Sequence, residues 1–306
     1  MKSKDCRLKT FRDWKEPTSP SLRRRNDSQV MMKKLAVVLI TLSTIALRVS
    51  GQTTEPDQRR PTTSPTDAPA QVSSPPPEPP RVVNRPVSWK LLLPHLMSDQ
   101  ERIWSFPAKL GRSENWIPTA AVLGTTAGLL ALDPIDAAYF RRTQTFQPFN
   151  RIFSGNASAI GTVATPITLY AVGFIKKDSK MQRTALFAGE AFANSEFLTT
   201  VLKNATRRVR PAAISAKGNL SDTWFEPGGS SLRGAGSFPS GHSIAAFSIA
   251  TVIARCYGNH RWVPYVAYSM AALVGFSRLS LSAHFLSDVF MGGALGYSIS
   301  RFAVLR

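Results

Sequence analysis

Residues 238–256 read FPSGHSIAAFSIATVIARC. Apart from Arg255, the side chains from Ser243 to Cys256 are small or apolar and show no alternation of the kind a half-buried strand requires. The run is also too long for an ordinary strand. Segments of the same character follow and precede it: Ile117–Leu132, Ala157–Ile175, Ala185–Leu202, Trp262–Phe276 and Val289–Leu305. Rich in Ala, Leu, Gly and Ser, they predict an all-α helical bundle over residues 88–306. Ser98-Asp99-Gln100-Glu101 has the pattern of a capping box, which predicts a short helix opening there and ending at Pro107.

The chain ahead of the bundle has a different composition. Met31-Met32-Lys33-Lys34, the apolar run Leu35–Leu47 and the exit Arg48-Val49-Ser50-Gly51 form the three regions of a secretory signal peptide over residues 31–51. The apolar run is short for a membrane span. Residues 1–30 are polar and basic, and signal sequences rarely carry such an extension, so translation is expected to start at Met31 or Met32. From Gln52 to Arg85 the chain is rich in Pro, Thr and Ser. Such a tract cannot bury enough apolar surface to offset its ordering entropy, and residues 52–87 are expected to form a disordered tether.

Charge and cysteine content bound the partners. Residues 1–51 hold 12 of the 38 Lys and Arg and 4 of the 19 Asp and Glu, so without them the formal charge falls from +19 to +11. The surplus suits phosphate esters or an anionic membrane surface. No nucleic-acid-binding motif accompanies it, and a nucleic-acid partner is not expected. Cys6 lies in the leader and Cys256 alone remains, which excludes an intramolecular disulfide and a cysteine-based metal site in the mature chain.

The chemistry-bearing residues fall into three blocks. Lys203 is followed by six residues and then Arg210-Pro211; Pro239-Ser240-Gly241-His242 opens the quoted stretch; Ser277-Arg278 is followed by five residues, His284, three more and Asp288. The three blocks resemble the motifs K-x6-RP, PSGH and SR-x5-H-x3-D of the type 2 phosphatidic acid phosphatase and vanadium-dependent haloperoxidase superfamily, without a gap or substitution. The motifs occupy residues 203–288. The helical pattern extends the resemblance over about 88–306, leaving the leader and tether outside it.

The residue types suit phosphoryl transfer. Lys203, Arg210 and Arg278 are cations from separate segments, fit for a group that gathers negative charge on its equatorial oxygens. Taken singly, each reads more simply as a solvated surface charge. Ser240 and Gly241 precede a helix whose free N–H groups can cradle an anion, although Ser240 could equally be a plain N-cap. Asp288, four residues after His284, would share a helix face with it and hold one imidazole nitrogen as N–H; a structural ion pair is the alternative. The resemblance implies His284 as nucleophile, Asp288 as the residue orienting it, His242 as general acid, and Lys203, Arg210, Ser240, Gly241 and Arg278 as phosphate-binding residues. It implies a metal-independent phosphatase with no cofactor, acting through a phosphohistidine, with vanadate as a possible phosphate mimic. His95, His260, Glu190 and Glu196 are given no catalytic role.

The expected substrate is a phosphorylated molecule, in the first place a lipid phosphate or diphosphate. A vanadium-dependent haloperoxidase is the alternative within the superfamily, and a non-catalytic phosphate-binding envelope protein lies outside it. The signal peptide predicts export to the periplasm or the outer side of the cytoplasmic membrane. The segments are compatible with a soluble or a membrane-spanning bundle. If residue 52 lies outside, three crossings would carry Lys203 inside, the wrong parity for an external site. The bundle is therefore expected either to stand outside the membrane or to contain a segment that does not span.

Overall fold

The computed structural model describes residues 85–109, 116–226 and 236–306. The upstream extension, the signal peptide and nearly all of the tether lie outside the described residues. Among the described residues eight α-helices follow one another: α1 (Leu92–Lys109), α2 (Trp116–Phe140), α3 (Gln147–Ile152), α4 (Gly155–Ile175), α5 (Ser179–Thr206), α6 (Gly241–Cys256), α7 (Trp262–Ser280) and α8 (Leu286–Ser298). The last continues into a π-helical turn, Ile299–Val304. No strand occurs among the described residues, and the fold is all-α.

Local chemistry sets several of the boundaries. Ser154, Asp178 and Ser240 cap α4, α5 and α6, their side-chain oxygens accepting from Ala157, Met181 and Ser243 N–H. Arg207 ends α5 in the left-handed region at φ 43°. The expected start of α1 at the Ser98–Glu101 box is wrong: the helix begins six residues earlier and runs past Pro107 to Lys109. Pro94 falls in its first turn, where a missing N–H costs nothing. Asp99, expected in a cap, is instead buried, 3.2 Å from Arg85 and accepting from Asn194 at 3.1 Å. Arg85, at the end of the tract assigned as tether, also pairs with Glu190 at 2.7 Å. This ionic cluster docks α1 on α5 about 20 Å along the helix from Lys203.

The short helix α3 has no counterpart in the sequence pattern. Six residues are too few to show a period, and its apolar face matters only through distant partners: Phe146 and Phe149 pack on Phe276 at centroid distances of 5.1 and 5.4 Å.

Helix α6 is the centre of the bundle and packs against α5, α7 and α8. Ile244 and Val252 are wholly buried, as are Ser243, Ser248 and Thr251. The buried hydroxyls are satisfied: Ser248 Oγ meets Ser195 Oγ at 2.7 Å and donates to the Gly296 carbonyl at 3.1 Å. Close approach of α8 requires glycine. A Cβ on Gly292 would lie 2.8 Å from the Ser240 carbonyl oxygen and 2.9 Å from Ser243 Cβ. Gly292→Ala should therefore push α8 away from the N-terminus of α6, at about 1–3 kcal/mol. Thermal unfolding and turnover measured together should both fall. Gly189→Ala, where a Cβ would meet nothing within 4 Å, should leave turnover unchanged and raise the thermal midpoint slightly.

The consequence of this packing is a common end. The C-termini of α2, α5 and α7 and the N-termini of α4, α6 and α8 meet there, tied by contacts such as Arg208 to Asp133 and Arg278 to Phe153.

Candidate active site

The three sequence blocks converge at that end. Lys203 lies in the last turn of α5, with Nζ 3.8 Å from where a Gly241 Cβ would stand. The absence of that Cβ leaves the lysine beside the first turn of α6, whose Gly241 and His242 N–H groups have no intrahelical acceptor by position. Ser240 is fully buried. Its Oγ accepts from Ser243 Oγ at 2.9 Å, and its N–H donates to the Asp288 carbonyl at 3.0 Å, so it is a cap that also ties α6 to α8.

Arg210 follows α5 in a loop and donates from Nε to the Gly236 carbonyl at 3.3 Å. Arg278 is held more fully: its guanidinium donates to the Phe153 carbonyl at 2.8 Å, to Ser158 Oγ at 3.1 Å and to Ser277 Oγ at 2.7 Å. Gly155 stands between Arg278 and His242. The Arg278 Nη1 atom is 3.6 Å from the position of a Gly155 Cβ, and His242 Nε2 is 3.2 Å from the Gly155 carbonyl.

His284 is buried in the loop between α7 and α8, not on a helix as its spacing to Asp288 had suggested. Phe285 is the N-cap of α8, and Asp288 turns back to accept its N–H at 2.9 Å. His284 Nδ1 lies 2.7 Å from the Ser237 carbonyl oxygen and 3.6 Å from Asp288 Oδ2. A carbonyl only accepts, so Nδ1 carries the proton and Nε2 is left with its lone pair. Asp288 thus supplies charge at ion-pair distance, while the Ser237 carbonyl takes the hydrogen bond. Burial is the main reason that the His284 pKa falls to about 4; Lys203 and Arg210 lower it further, against the opposing pull of Asp288. The neutral imidazole therefore persists well below neutral pH.

Residues 184–305 match the family model described as the PAP2 superfamily. This segment takes in all three sequence blocks. Over 63 residues the chain is 40% identical to a lipid A 1-phosphatase of Porphyromonas gingivalis, covering 20% of this chain and 14% of that protein. Over 113 residues it is 34% identical to phosphatidylglycerophosphatase B of Bacillus subtilis, covering 34% of this chain and 49% of that one. The chain thus spans half or less of the length of these curated relatives. Among solved structures, the transmembrane PAP2-type phosphatidylglycerolphosphate phosphatase of Bacillus subtilis matches at 23% identity and a TM-score of 0.43, over 59% of this chain and 90% of that one. Aquifex aeolicus LpxE matches at 22% and 0.33, over 60% and 94%.

Several residues of the candidate site escaped the sequence reading. Ser237, Gly155, Ser158 and Arg208 contact motif residues, and Asp133 contacts Arg208 and Ser287. Asp133 carried a usable signal, a carboxylate directly after the apolar run Ile117–Leu132. Arg208 carried none, being one of three arginines within Arg207–Arg210. Outside the site, His95 sits 3.5 Å from Glu190 in the cluster that docks α1, and His260 is exposed in the turn before α7. Glu196 is exposed on α5.

Proposed function

We propose that the protein is a phosphatase of lipid phosphates or diphosphates that works through a phosphohistidine intermediate. The observation that carries the reading is the meeting of three cations, a helix N-terminus and a neutral, buried histidine at one end of the bundle. His284 Nε2 attacks phosphorus while Lys203, Arg210, Arg278 and the N–H groups at the start of α6 bind the equatorial oxygens. The bond to the leaving oxygen breaks, and His242 gives that oxygen a proton. Water, losing a proton to His242, then attacks the phosphohistidine and releases inorganic phosphate. Charge stabilisation and positioning supply most of the acceleration in such a transfer.

The outer surface favours a lipid substrate. Helices α2 and α4 are long and apolar enough to cross a membrane, and they turn large apolar side chains outward. Ile117, Ile135, Ile160, Ile167 and Phe174 are each at least 59% exposed. A patch of that extent is unfavourable in water and suits acyl chains. Placing α2 and α4 in a bilayer would bring the site near its surface, where a lipid headgroup can enter from the side.

The purified protein, assayed in detergent against phosphatidic acid, polyprenyl diphosphate, phosphatidylglycerol phosphate and p-nitrophenyl phosphate, should release inorganic phosphate with chelator present. Vanadate should compete. Failure to release phosphate from any of the four would overturn the reading.

A further inference from the structure

We propose that Arg208, anchored by Asp133, is a positioning residue that holds both supports of the His284 imidazole. The inference rests on His284 being the nucleophile. Arg208 is 2% exposed, and its guanidinium is shared between two helices. Nη1 donates to Asp288 Oδ1 at 2.5 Å and to Ser287 Oγ at 2.8 Å; Nη2 donates to Asp133 Oδ2 at 2.6 Å; Nε donates to Thr223 Oγ1 at 3.2 Å. The Trp224 and Phe285 rings lie 4.6 and 4.0 Å from the guanidinium carbon, which fixes its plane.

The connections close into a ring around His284. The Arg208 side chain holds the Asp288 carboxylate, and its own carbonyl accepts the Ser237 N–H at 2.7 Å. Ser237 Oγ donates to the other Asp288 oxygen at 2.5 Å, and the Ser237 carbonyl accepts from His284 Nδ1. One residue therefore positions both the carboxylate and the carbonyl that face Nδ1. Asp133 completes the device from α2: its other oxygen accepts the Ser287 N–H at 3.0 Å, so the same carboxylate fixes the guanidinium and the first turn of α8. A planar fork can serve two carboxylates at once in fixed geometry, which an ammonium group cannot do.

Neither residue touches the phosphate cations, and that separates positioning from binding. Arg208→Lys keeps the charge but loses the fork. It should lower kcat by about 10–100-fold, the scale known for residues that orient a metal-bound histidine through a hydrogen bond. KM and the inhibition constant of inorganic phosphate should stay within about twofold, since the binding cations are untouched. Asp133→Asn should lower kcat in the same sense with KM unchanged. The double variant should lose less than the product of the two single losses, because both act through one guanidinium. A folded Arg208→Lys enzyme with wild-type kcat would overturn the proposal. So would parallel losses in kcat, phosphate affinity and thermal midpoint, which indicate a role in stability alone. If Arg208→Lys does not fold, Asp133→Asn decides, and wild-type kcat there overturns the proposal. His284→Ala run in the same assays keeps the two readings apart: turnover surviving in that variant refutes the nucleophile itself, whereas its loss beside a normal Arg208→Lys enzyme refutes only the positioning role.

Discussion

His284→Ala should abolish turnover on every phosphate ester, by on the order of 10^4-fold or more, the scale on which loss of a nucleophile is felt. Lys203, Arg210 and Arg278 remain in place, so inorganic phosphate should still bind, though more weakly. Trapping with a radiolabelled substrate should yield an acid-labile, base-stable phosphoenzyme in the wild type and none in the variant. The pH dependence follows from the same burial. With its pKa lowered to about 4, His284 is neutral at all higher pH, so no loss of turnover between pH 7 and 5 should trace to its protonation. Near-normal turnover in His284→Ala would sink the mechanism.

His242→Ala should separate substrates by leaving group. An alkoxide needs a proton as its bond to phosphorus breaks, whereas p-nitrophenolate hardly does. The loss should be on the order of a hundredfold or more for a lipid phosphate and clearly smaller for p-nitrophenyl phosphate, provided phosphorylation of His284 limits the rate. A burst experiment identifies the slow step. The 3.2 Å contact of His242 Nε2 with the Gly155 carbonyl sharpens the test, because it offers a second role, holding the start of α4 beside Arg278. Equal losses on both substrates would assign His242 to that role and leave the proton to another group. Asp288→Asn should be milder than His284→Ala, since the Ser237 carbonyl keeps its hydrogen bond to Nδ1.

Much of this protein was legible along the chain. The helical class follows from long runs of small and apolar residues without alternation, a local property that needs no partner to be seen. The motif residues were legible because their types and spacing recur together, and the start of α6 was legible because Ser240 is a local cap. Two expectations that rested on spacing failed where a distant contact outweighed local preference. Ser98–Glu101 is not a cap, because Arg85 and Asn194 draw Asp99 into the interior. His284 and Asp288 do not share a helix face, because Asp288 serves the N-terminus of α8 and His284 turns to Ser237. Helix α3 was invisible for a related reason, as its short apolar face gains meaning only from Phe276. The sequence by itself therefore determined the helical class and the candidate residues of the site. Tertiary structure alone decided which groups stand against them: Ser237, Arg208 and Asp133 come from separate segments, and hydrogen bonds between residues far apart in the chain leave no periodic trace along it.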